Sequence, residues 1–189
     1  KCAIPGNLFL KVLESFAVDD VNIKQNKEKL FISTKGSTSK IKLATLPESD
    51  FIFEKPEIKD CNSLAVEDDL IKGIKLCLSS ASEDASCVNL FGVTMVTGAQ
   101  LLEIYSTDGE CMSHYIMDAL DAKFDSKVLL PTTFCNQLVS LHKQLGEGKL
   151  YIADDFLYVE FEAVSLYTKL PEAIKFVDFD DFLSDYIDD

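Results

Sequence analysis

Apolar positions along this chain of 189 residues recur at two spacings, every third or fourth residue in some stretches and every second in others. Leu8, Val12, Leu13 and Phe16 share one side of a helix predicted over residues 7–16, with Pro5 and Gly6 just ahead of its start. Leu70, Ile71, Ile74 and Leu78 form the stripe of a second helix over residues 68–80, which Lys72 and Lys75 leave in another direction. A third helix is predicted over residues 132–145, capped by Thr132 or Thr133 and stopped by Gly146. Alternation predicts strands over 21–25, 30–34 and 39–45, with Lys27-Glu28 turning between the first two. Further strands are read at 88–96, 100–106, 111–117, 127–130, 149–153, 156–161 and 164–170. Thr97-Gly98 and Thr107-Asp108-Gly109 supply turns, and Asp-Gly is a strong hairpin signal. Residues 54–63 are polar and proline-punctuated, which suits a linker or an extended crossing strand. The order is that of an α+β protein with antiparallel sheets.

That order repeats. Ile4-Pro5-Gly6-Asn7-Leu8 leads through a helix and strands to Leu43-Ala44-Thr45-Leu46-Pro47-Glu48. Leu130-Pro131-Thr132-Thr133-Phe134 leads in the same way to Leu166-Tyr167-Thr168-Lys169-Leu170-Pro171-Glu172. Pro5 and Pro131 are 126 positions apart, and Pro47 and Pro171 are 124 apart. A period that long is a whole domain, since solenoid units run about 20–50 residues. The first copy has no front half. The expected organisation is therefore the tail of one domain, residues 1–58, followed by a complete second one, residues 59–189, as in a segment of a longer tandem array.

Composition changes this picture in two respects. The chain carries 32 acids against 18 bases, and every base is lysine. Without arginine there is no bidentate guanidinium grip on phosphate or guanine. A net charge of −14 disfavours nonspecific wrapping of nucleic acid, although it leaves room for a locally positive face. The six cysteines (Cys2, Cys61, Cys77, Cys87, Cys111, Cys135) form no CxxC pair and read as reduced, mostly buried thiols of a cytosolic protein. No apolar run reaches the ~18 residues of a membrane span.

Several landmarks, taken together and in order, resemble one family. Val88-Asn89-Leu90-Phe91-Gly92-Val93 is followed by Ser106-Thr107-Asp108-Gly109, then by Val128-Leu129-Leu130-Pro131. Ile41-Lys42-Leu43-Ala44-Thr45-Leu46-Pro47-Glu48-Ser49-Asp50-Phe51 closes the first copy. These resemble the "leu-x-gly" strand, the "ala-thr-asp-gly" turn, the "val-ile-val-pro" helix entry and the first-domain close of the bacterial DNA polymerase III β subunit, the ring-shaped sliding clamp. The resemblance implies a DNA-clamp fold with antiparallel sheets outside and two helices per domain facing a central hole. It implies a cytoplasmic, non-catalytic processivity factor that encircles and slides on duplex DNA. The implied partners are double-stranded DNA, the replicative polymerase, a clamp loader, and the protein itself in a ring-forming homo-oligomer. No cofactor or metal is implied. A clamp-like scaffold that binds proteins without encircling DNA is the alternative, which the acidity and the missing arginines favour.

Two groups of residues follow from that resemblance. Lys72, Lys75, Lys143 and Lys11 on the predicted helices are the DNA-facing candidates, as loose, salt-sensitive phosphate contacts; read blandly, they are solvated helix lysines. Leu90, Thr107, Gly109 and Met112 would form the second-domain wall of a pocket for a partner's hydrophobic peptide; read blandly, they are core and a plain turn. Departures fall nearby. Glu110-Cys111-Met112 stands where clamps carry "his-arg-leu", and Leu183-Ser184-Asp185-Tyr186 where they carry "phe-pro-asp-tyr", so a divergent member, cellular or phage-encoded, is indicated.

Other chemistry finds little support. Cys111 and His114 make a C-x-x-H pair with no second pair at zinc-ligand spacing. Adjacent aspartates such as Asp68-Asp69 and Asp154-Asp155 diverge in direction and suit turns and helix starts. The last twelve residues, 178–189, hold six aspartates among aromatic and aliphatic residues and read as a connector to a further domain. Their other reading is an acidic docking peptide. There is no Gly-rich phosphate loop and no nucleophile elbow, so the enzyme reading has no carrier.

Overall fold

In the computed structural model the described residues are 2–18, 20–36, 40–47, 56–82, 84, 86–98, 100–119, 124–171 and 174–178. The chain divides into two compact units, Lys1–Lys55 and Pro56–Asp189. Two sequence readings, the acidic stretch from residue 179 onward and the Glu48–Phe51 part of the first-copy close, lie outside the described residues.

The first unit is a helix, α1 (Gly6–Glu14), followed by three strands, β1 (Val21–Asn26), β2 (Lys29–Thr34) and β3 (Ile41–Ala44), in sheet order β1-β2-β3. Both pairings are antiparallel. Lys27, in the left-handed region at φ 52°, closes the β1–β2 hairpin. Leu30, Ile32 and Leu43 face one way and are buried beneath Phe9, Val12, Leu13 and Phe16. The helix stripe is thus set by Phe9. Leu8, expected in it, is 49% exposed.

The second unit is built twice over. The first pass is β4 (Asn62–Val66), α2 (Asp68–Cys77), β5 (Gly92–Gly98), β6 (Leu101–Thr107) and β7 (Met112–Asp118). The second is β8 (Ser126–Pro131), α3 (Thr132–Leu145), β9 (Gly148–Ile152), β10 (Phe156–Glu160) and β11 (Ser165–Lys169). The leading strand of each pass joins the other's sheet, giving the orders β11-β10-β9-β4 and β7-β6-β5-β8. Every pairing is antiparallel. Alternate residues of both sheets (Leu64, Val66, Val93, Met95, Ile104, Leu150, Leu157 and Val159 among them) enter one core with Leu70, Ile74, Phe134 and Leu138 of the helices. One apolar face per element is enough to assemble the layers.

Three sequence expectations shift for physical reasons. Residues 88–91 alternate like a strand, yet Leu90 and Phe91 donate to the Cys87 carbonyl at 2.8 and 3.0 Å, so their amides are spent on a turn and β5 starts at Gly92. The Thr97-Gly98 turn belongs instead to the end of β5, and the chain reverses at Gln100 with φ 66°. Neither Thr132 nor Thr133 caps α3. The N-cap is Pro131, with no side-chain cap bond.

Candidate functional site

The α2 sequence DDLIKGIKLC sets Asp68, Lys72 and Lys75 on one outward side, three or four residues apart, with Leu70, Ile71, Ile74 and Cys77 inward. Asp68 and Asp69 lie in its first turn and Lys75 in its last, each of the sign the helix dipole favours at that end. Lys72 holds its Nζ 5.5 Å above the Tyr115 ring, whose hydroxyl donates to Asp69 Oδ1 at 2.8 Å. A shallow depression of about 480 Å³ runs along this face, lined by Asp68, Ile71, Lys72, Lys75, Leu76 and Ser79.

The third helix packs beside the second. Its end meets the other's beginning, His142 Nε2 standing 3.8 Å from Asp68 Oδ1. Lys143 is the next residue and is exposed. Nowhere in its sequence, TTFCNQLVSLHKQL, does α3 carry an acid. Across α2 and α3 together three lysines meet two aspartates, while the whole chain stands at −14. The depletion of acid lies in α3, since α2 has two aspartates in ten residues. That depletion is legible in sequence once the helix bounds are known. Lys11 is exposed in the last turn of α1 and belongs to the other unit.

Of the four pocket candidates, three are brought together. Thr107 and Met112 are directly paired across β6 and β7, and Gly109 sits in the turn joining them at φ 98°, a conformation glycine adopts without strain. The turn is tightly made. Thr107 Oγ1 donates to the Cys111 carbonyl at 2.7 Å and accepts from the Gly109 N–H at 3.0 Å. Asp108 Oδ1 accepts from Cys111 and Glu110 N–H at 2.7 and 2.9 Å, and these bonds, Cys111 first, hold its carboxyl below the usual range. Thr107 is buried with its hydroxyl used inside the turn, Met112 is half-buried, and Leu90 lies half-buried in the separate turn ahead of β5.

A segment that sequence reading did not associate with this hairpin runs close to it. Tyr105, two residues before Thr107, donates its hydroxyl to the Val177 carbonyl at 3.2 Å. The Lys175 N–H donates to Asn89 Oδ1 at 3.1 Å, and Lys127 Nζ lies 5.2 Å from the Phe176 ring centroid. Residues 175–177 thus cross the sheet face that carries Tyr105 and Lys127.

The cysteines are all free. Only Cys77 and Cys135 are buried, while Cys87 and Cys111 are exposed, so "mostly buried" was too broad. Cys77 Sγ donates to the Ile104 carbonyl at 3.2 Å, and burial pushes its thiol up to about 11. His114 pairs with Glu103 at 3.3 Å, and Cys111 is not its partner. Among the described residues no group of three or more His, Cys, Asp or Glu could hold a metal ion, and no helix is long and apolar enough to cross a membrane.

The comparisons with known proteins bear on this arrangement. No protein-family model matches the chain. The curated beta sliding clamp of Chlamydia pneumoniae is 23% identical over 184 residues, 96% of this chain and 50% of that protein. The DNA polymerase III subunit beta of Pseudomonas aeruginosa superposes with a TM-score of 0.81 at 20% identity, covering 96% of this chain and 50% of that one. The beta subunit of Thermotoga maritima gives 0.80 at 15% identity, covering 95% and 48%. The chain spans about half the length of the relatives it matches, and its fold is the α+β fold of these beta subunits.

Proposed function

We propose that this chain belongs to a DNA polymerase processivity factor: a cytoplasmic, non-catalytic clamp that encircles duplex DNA, slides along it and tethers the polymerase. Residues 1–58 would be the rear half of one clamp domain and 59–189 a complete second domain. The carrying observation is the pair α2 and α3, exposed on the side away from their sheets and bearing three lysines against two aspartates, with no acid on α3, in a chain of net charge −14. Lys72, Lys75 and Lys143 are the duplex-facing groups of that layer, with Lys11 as their counterpart on α1. Lysine suits sliding, because its compact ammonium meets phosphates as a point charge without a fixed fork. A ring needs steering toward the axis and no tight grip.

The β6–β7 turn with Thr107, Gly109 and Met112, together with Leu90, forms one wall of the site for a partner's apolar peptide. Polymerase and clamp loader are its occupants in this reading, and a second copy of the protein closes the ring. The test uses the full-length protein and its loader on nicked circular DNA. Retention on circles and loss from the ends after linearisation is the expected result. Equal retention on both forms would instead favour a protein-binding scaffold. Replacing Lys72, Lys75 and Lys143 together with alanine should flatten the slope of log affinity for duplex against log salt by up to about 2.7, near 0.9 per phosphate contact.

A further inference from the structure

The lysines of this chain are unevenly placed. Residues 21–47 hold six lysines and one glutamate, so the remaining residues are more acidic than the net charge of −14 suggests. This basic run folds as the three-stranded sheet of the first unit. One face of that sheet is closed by α1, whose Phe9, Val12, Leu13 and Phe16 pack on Leu30, Ile32 and Leu43. By strand alternation the opposite face takes Asn22, Lys24 and Asn26 from β1, Lys29, Phe31 and Ser33 from β2, and Lys42 from β3.

Register arranges these residues as a grid. Lys24, Phe31 and Lys42 stand directly opposite one another across the three strands, so a half-exposed ring has a lysine on each side. With strands about 4.8 Å apart, the row is about 10 Å wide. Asn22 pairs with Ser33 in the row beyond, and Asn26 with Lys29 in the row before. Lys42 Nζ lies 5.9 Å from the Phe31 ring centroid. A cavity of about 660 Å³ lies along β1 and β2, bordered on this face by Asn22, Lys24, Asn26, Phe31 and Ser33; Gln25 and Thr34 of the other face also border it, and Lys42 does not.

We propose that this sheet face binds single-stranded nucleic acid. Three chemistries meet on it at the spacing of neighbouring strands: a ring for a base to stack on, ammonium groups for the flanking phosphates, and amides and hydroxyls for base edges. Sheets with a central aromatic and a basic surround bind unpaired nucleotides in this way, whereas a duplex keeps its bases stacked and offers the ring nothing. An acidic peptide would satisfy the lysines and the amides as well; the ring with a lysine on each side is what favours a stacked base with flanking phosphates. The site lies on the face opposite α1 and is separate from the helix lysines assigned to duplex, so the two readings can fail independently.

The test is fluorescence anisotropy of the full chain with a labelled oligothymidylate of about twenty nucleotides at low salt. Wild type should bind, and Phe31→Ala should weaken binding at least about fivefold, with Phe31→Leu, which keeps the apolar bulk, nearly as impaired. Lys24→Ala with Lys42→Ala should flatten the salt slope by about 1.4, near 0.7 per phosphate on a single strand. The variant lacking Lys72, Lys75 and Lys143 should lose less oligonucleotide affinity than the Lys24→Ala, Lys42→Ala variant does. Absence of binding, or binding that the helix variant loses and the sheet variants keep, would overturn the proposal. So would capture by this face of a synthetic peptide with the sequence of residues 178–189 in place of the oligonucleotide.

Discussion

At Gly73 a single missing methyl group decides how closely α2 can approach its sheet. A Cβ there would stand 2.5 Å from Tyr115 Cδ1 and 2.8 Å from Ile104 Cδ1, nearer than side-chain atoms tolerate. Gly73→Ala should therefore lower stability by about 1–3 kcal/mol despite alanine's better helix propensity, because the Tyr115 ring held by Asp69 must move. Urea unfolding of the variant measures this, and an unchanged midpoint would mean the helix can slide outward freely. Cys77 provides a pH handle at the same scale. Its folded thiol stays neutral up to about 11, while an unfolded thiol ionises in the ordinary range near 8.5. The folded state thus holds this proton longer. Cys77's contribution is complete below the ordinary range and drains away as pH rises toward 11. Brief alkylation near neutral pH should modify Cys87 and Cys111 and leave Cys77 and Cys135 untouched, read by peptide mass spectrometry. Early labelling of Cys135 would contradict the burial that raises its thiol even further.

Among elements, helices were legible wherever three or four spaced apolar residues shared a stripe, and α3 matched its expected span of 132–145 because Gly146 supplies the left-handed exit at φ 80°. Strand β4 was obscured. Its residues follow a polar, proline-containing run, and only its pairing with β9 makes a strand of Asn62–Val66. The basic sheet face was missed for a different reason. An overall charge of −14 hid a local excess of lysine that alternation alone could have placed on one side of β1–β3. The hairpin of the pocket candidates was visible through Thr107-Asp108-Gly109, whereas the crossing of residues 175–177 over Tyr105 and Lys127 depends on long-range contacts that no local pattern encodes. The Thr132 expectation leaves a testable residue. Its Oγ1 is buried and, among the described residues, has no hydrogen-bond partner. Thr132→Val should raise stability by up to about 1–2 kcal/mol, since it removes an unsatisfied hydroxyl at nearly constant shape. In the same helix Leu138→Ala should cost about 2–5 kcal/mol and Leu145→Ala well under 1, because the first is fully buried and the second 41% exposed. Thermal denaturation of the three variants ranks them.

For the whole molecule, exchange of leading strands makes the second unit indivisible. Because β4 completes the sheet of β9–β11 and β8 that of β5–β7, neither pass can keep its sheet if the other unfolds. Among the described residues, twenty buried ones share that one core, against three in the first unit. A unit of about 55 residues buries a smaller fraction of its apolar surface than a larger one and is correspondingly marginal. The two units should therefore differ in opening free energy, with β1–β3 exchanging backbone amides well before β5, β6, β9 and β10. Native-state hydrogen exchange followed by mass spectrometry reads this directly. Equal protection in both units, lost in one transition, would mean that the first unit draws stability from beyond its own core. In the proposed clamp that weakness has a reason, because the rear half of a domain of this architecture lacks the first pass, whose leading strand would extend its sheet. The prediction sharpens accordingly: in the full-length protein, protection of β1–β3 should rise toward that of β9–β11, while protection of β5 and β6 should barely change.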